Sequence, residues 1–140
     1  MMKSPSCLPA AEDSAVLLTE EPLHLESAIG QVSGSRQGAV VVFAGTVREL
    51  ENGRPIASIT YQAYHGMAEK QISKIVGQAQ ELWAVRLVVH HRFGKVRTAE
   101  PSLVVACSGV HRSEAFQACQ FAVDQIKLHV PIWKVGFEWA

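Results

Sequence analysis

A chain of 140 residues can build one domain with a real core and has little room for two. Its 48% apolar and 19% charged residues and zero formal net charge exclude a disordered chain and a surface made broadly to coat nucleic acid or membrane. Three cysteines, Cys7, Cys107 and Cys119, with no C-x-x-C pair, argue against a disulfide framework or zinc ribbon and for a reducing, cytoplasmic setting.

Residues 1–13 lack the apolar stretch of a signal peptide and read as a flexible tail; residues 14–140 read as a single domain, with no apolar run of membrane-spanning length. Ala15–Glu20 is a short strand. Pro22 opens a helix to Val32, with Leu23, Ile29 and Val32 on one face. After a polar break, the β-branched run Ala39–Val47 predicts a strand buried on both faces or nearly so. Asn52-Gly53 marks a hairpin or a mobile loop. The next strand alternates Ile59, Tyr61 and Ala63 against a wet face of Ser58, Thr60 and Gln62.

From Met67 to Trp83, Ile72, Ile75, Val76, Ala79, Leu82 and Trp83 recur at helical spacing. Two strands, Val85–Gly94 and Ser102–Val110, follow, joined through Gly94 and Pro101. A last helix, capped by Ser113, buries Phe116, Cys119, Ala122, Val123 and Ile126; Pro131 ends it, and Ile132–Trp139 returns as a strand. Paired strands separated by helices give an α+β layout, a largely antiparallel sheet with packed helices.

The chemistry lies in cations. His111-Arg112 sits where a helix's first amides lack partners, an arrangement that suits an anion and equally a solvated surface pair. Lys127, in the last turn, complements the helix dipole or reaches a ligand; Lys134 covers the Trp133 indole or does the same. Arg48 directly follows a core strand, where sites are commonly built. His90 and His91, adjacent in a strand, point to opposite faces and cannot share a metal, and no phosphate loop or nucleophile elbow is present. Such a set suits an anionic, phosphorylated small molecule or an acidic protein tail. Arg112 and Lys127 are fifteen residues apart on one helix, so their backbones are separated by roughly 22 Å, too far for one small ligand to span comfortably.

Five segments, GAVVVFAGTVR (Gly38–Arg48), YHGMAEKQI (Tyr64–Ile72), HRFGKV (His91–Val96), HRSEAFQA (His111–Ala118) and KLHVPIWK (Lys127–Lys134), resemble in order and spacing the catalytic, large subunit of molybdopterin synthase. The resemblance covers residues 15 to 138. It implies an α/β hammerhead fold and a homodimer that becomes a heterotetramer with two small ubiquitin-like subunits. It also implies sulfur transfer from the small subunit's C-terminal thiocarboxylate to cyclic pyranopterin monophosphate, with no metal and no cofactor. By the same resemblance Lys127 and Lys134 are catalytic, and Thr46, Val47, Arg48, His111, Arg112, Val135 and Gly136 join them in binding substrate. The chain departs from the pattern after Lys134, where Val135-Gly136 replaces a charged continuation, and in its short end at Ala140. The alternative is a non-catalytic module that binds a phosphorylated metabolite or a ubiquitin-like tail.

Overall fold

The computed structural model describes residues 14–140, so the predicted tail and Cys7 lie outside the described residues. In chain order the elements are β1 (Val16–Thr19), α1 (Leu25–Val32), β2 (Ala39–Thr46), β3 (Leu50–Glu51), β4 (Arg54–Ala63), α2 (His65–Leu82), β5 (Val85–Arg92), β6 (Gly94–Arg97), β7 (Pro101–Gly109), α3 (Arg112–His129) and β8 (Ile132–Trp139). The α+β expectation holds: every ladder is antiparallel except the β1–β5 pair.

Strand alternation sets the layers. The first sheet runs β1-β5-β7-β2. Leu87 and Val89 of β5 and Leu103, Val105 and Cys107 of β7 point to one face, where Ile72 and Ile75 of α2 and Ala122 and Ile126 of α3 cover them. Val88, Val104 and Ala106 point the other way, onto Ala28 and Val32 of α1. Removing these side chains from water at about 25 cal/mol per Å² is the main force holding the helices to the sheet. Cys107 and Cys119 are both free and buried in this core, where burial raises their thiols to about 12 and about 11, as suits small hydrophobes rather than reactive groups.

The second sheet is built on β4, which carries β6 and β8 on its two edges, with β3 folded back on its first residues. Asn52 and Gly53 have φ of 53° and 76°, the left-handed pair that a two-residue hairpin turn demands, so the segment is a hairpin. Val47, Ile56, Ile59 and Val96 make its small core.

Several local expectations are corrected. The helix predicted at Pro22 starts at Leu25, because Leu23 is drawn into the core from an extended segment, and Ala28 rather than Ile29 shares the buried face with Val32. The strand from Ala39 stands at the sheet edge and is half-exposed, with Val40 41% accessible. Ser58 is buried rather than wet, since β4 is central, and its hydroxyl donates to Glu138. Leu82 is exposed; the chain turns after it to bring Trp83 inward against Phe121, ring centroids 5.5 Å apart. Strand β6 lies in what read as a simple connection. Ser113 is not the N-cap of α3: His111 is, without a side-chain cap bond, and Ser113 instead accepts a hydrogen bond from Gln117.

Candidate functional site

The register of β2 breaks between Gly45 and Thr46, and a bulge of this kind re-aims the side chains that follow. Val47 turns into the small core, with its amide bonded to Glu100 and its carbonyl to Ala99. Thr46 and Arg48, on either side of it, face outward onto a cavity of about 390 Å³. Lys127 reaches the same cavity from the last turn of α3. Pro131 stops that helix, and the chain reverses into β8 along β4, which delivers Trp133 and Lys134 to the rim. Three cationic side chains, from the β2–β3 connection, α3 and β8, thus line one cavity, and among the described residues no carboxylate lines it.

The floor is built from β5 and β4. Adjacent residues of β5 face opposite ways, as expected for the histidine pair. His90 goes to the α1 side, its Nε2 2.7 Å from Gln31 Oε1, and His91 goes to the α3 side and into the cavity. The Nδ1 of His91 lies 2.9 Å from the Arg92 carbonyl; a carbonyl only accepts, so Nδ1 carries the proton and Nε2 the lone pair. Burial first, and the charge of Lys127 second, push His91 down to about 4, against a hydrogen bond to Arg92 that pulls the other way, so the ring is neutral at neutral pH. Tyr61 meets His91 edge to face at 6.4 Å; burial raises its phenol, the nearby Ser102 hydroxyl partly offsets that, and Glu51 adds to the rise. The cavity therefore presents cationic and phenolic donors around one imidazole acceptor.

His111 and Arg112 are not at this cavity. They line a separate hollow with Gly38 and Ala39, at the opposite end of β2. Val135 is exposed, Gly136 pairs with Thr60, and neither lines the cavity. The polar cavity-lining residues that the sequence reading did not single out for the site are His91, Tyr61 and Ser102. The histidine doublet was the available signal: its alternation says that one of the two must face α3. Among the described residues no group of three His, Cys, Asp or Glu side chains gathers as a metal site, and no helix is long and apolar enough to cross a membrane.

Residues 18–129 match the family model described as MoaE protein. The chain belongs to the MoaE family. It is 41% identical over 128 residues to the molybdopterin synthase catalytic subunit of Nostoc sp., covering 90% of this chain and 77% of that relative. The molybdopterin synthase structure from Staphylococcus aureus superposes with a TM-score of 0.81 at 33% identity, covering 88% of this chain and 94% of the other. A Helicobacter pylori structure, solved as a complex of subunits 1 and 2 of molybdopterin-converting factor, shares the fold, with a TM-score of 0.72 at 22% identity over 91% of this chain and 90% of the other. This MoaE chain is thus an enzyme of the molybdopterin synthase type, acting in molybdenum cofactor biosynthesis.

Proposed function

We propose that this MoaE chain transfers sulfur from the C-terminal thiocarboxylate of a small ubiquitin-like subunit to cyclic pyranopterin monophosphate, forming the dithiolene of molybdopterin. The meeting of Arg48, Lys127 and Lys134 in a cavity that no carboxylate lines among the described residues carries this reading. Arginine offers a bidentate fork to phosphate, so Arg48 holds the pterin phosphate. Lys127 and Lys134 orient the incoming carbonyl and offset the negative charge that develops on it during acyl transfer. The exposed Tyr64 and Trp133 rings, 6.2 Å apart near the rim, offer an apolar flank to an extended tail. That a fold relative forms a complex with its second subunit supports such a partner.

The active unit in this proposal is a homodimer, with a small subunit at each end. Among the described residues β2 is a sheet edge with one side unpaired, and beside it Val41, Phe43 and the 60%-exposed Phe116 line an apolar groove of about 400 Å³. A second copy laid antiparallel along β2 brings the Ala39 end of one protomer beside the Thr46 end of its mate, a strand length of about 24 Å away. His111 and Arg112 of one copy then approach Lys127 of the other, which removes the roughly 22 Å mismatch within a chain. The test is reconstitution: the protein, a thiocarboxylated small subunit and the cyclic pterin phosphate are incubated, and dithiolene product is sought by mass spectrometry. Product formation is expected; its absence despite a formed complex refutes the proposal.

A further inference from the structure

On that reading the sulfur donor returns as a carboxylate, so an oxygen must replace the sulfur, and water is the reactant that supplies it. Once the thiocarboxylate sulfur has bonded to the acceptor, the tail is held as an acyl–sulfur linkage. Water adds to the acyl carbon and gives up a proton; the C–S bond breaks with its electron pair staying on sulfur. The tail leaves as a carboxylic acid that ionises, and nothing is oxidised or reduced. This step needs a base in the cavity.

Among the described residues lining that space, one group meets the need. Arg48 and the two lysines, as cations, offer donors and no acceptor. The Tyr61 phenol is held protonated, chiefly by burial. His91 has its Nδ1–H committed to the Arg92 carbonyl. Among the described residues its Nε2 has no partner, and it is not one of the fully buried unpaired atoms, so an accessible lone pair is left on this cavity-lining side chain. We propose that His91 is the general base that takes the proton of the attacking water, with Nε2 as the accepting atom.

The groups facing the ring are Lys127 from α3 and Tyr61 from β4, with Arg92 beside it on β5, and Arg48 and Lys134 line the same cavity. In the free enzyme burial first, and the charge of Lys127 second, hold the imidazole neutral and weakly basic. An anionic tail and a phosphorylated acceptor raise its basicity when they enter, so the base strengthens only when the site is loaded.

The experiment is single-turnover sulfur transfer by His91→Asn, whose side-chain amide can keep the bond to the Arg92 carbonyl while Nε2 is lost, and by His91→Gln as a second variant should the first fail to fold. Folding is checked by near-UV circular dichroism. A loss of about 100-fold or more in kcat with KM little changed is expected, together with accumulation of the acyl–sulfur adduct of tail and acceptor in intact-mass spectra. In the wild type, the acid limb of kcat should lie at higher pH than that of kcat/KM. Wild-type turnover by a folded variant, no adduct, or a loss that falls on His111→Gln instead of His91 overturns the proposal. A wild type that makes no product at all refutes the sulfur-transfer reading itself, a separate outcome.

Discussion

His91 ties stability to pH in a way that can be worked out from the structure. Its ring is lowered from 6.5 to about 4 on folding, chiefly by burial, so the unfolded chain binds a proton that the folded chain refuses between those values. The sign follows: this stability is fully present above pH 6.5 and is lost as the pH falls toward 4. At about 1.4 kcal/mol per pH unit the total is on the order of 3 kcal/mol, a large share of a domain's usual 5–15 kcal/mol. His90 is lowered in the same direction by burial and adds to the slope. Glu100, held down first by the Arg97 amide, and Glu138, held down first by Lys95, lose their contributions only as the pH falls below the carboxylate range, so their window lies lower. Urea unfolding at fixed protein concentration, repeated from pH 7.5 to 4.5, should show stability falling with pH for the wild type and a distinctly flatter curve for His91→Gln. The comparison of slopes matters, because the substitution also changes the absolute level. Equal slopes for the two proteins would refute the reasoning.

Three further outcomes are expected. Lys127→Ala should lose most sulfur transfer while its stability falls by at most about 1 kcal/mol, since an exposed helix-end lysine contributes little more through the dipole; turnover and thermal melting check this, and normal turnover by the folded variant removes Lys127 from the mechanism. Phe116→Glu should shift the proposed homodimer toward monomer in sedimentation velocity without unfolding it, because the side chain is exposed in the single chain and a charge there opposes a second copy; a dimer that the substitution leaves unchanged refutes the groove as the interface. Arg112→Ala and Lys127→Ala subunits, each inactive alone, should regain about a quarter of wild-type activity when co-folded in equal amounts, because half the dimers are mixed and each keeps one intact site. Mixed dimers that stay inactive refute the shared site.

Local chemistry made much of this molecule legible in its sequence. Asn52-Gly53 specifies a hairpin because few residues tolerate two left-handed positions in a row. Pro131 ends α3 because it cannot donate the next helical bond, and the 3.6-residue spacing of Ile72, Ile75, Val76 and Ala79 correctly gives the face that α2 buries. Arg48, Lys127 and Lys134 stood out as cations beside structural breaks, and the fold brings all three to one cavity. Other features depended on long-range pairing, which local pattern does not encode. Whether the run Ala39–Val47 is central or an edge depends on which strands flank it, and Phe116 has the periodicity of a core residue on a face that this chain leaves open. Ser58 is dry because β6 and β8, distant in sequence, both pair with β4. The separation of His111 and Arg112 from Lys127 follows from the length of one straight helix, whereas the entry of His91 into the cavity was decided by the register of β5 against β7 under α3. A one-residue slip in that register would have placed His90 there instead.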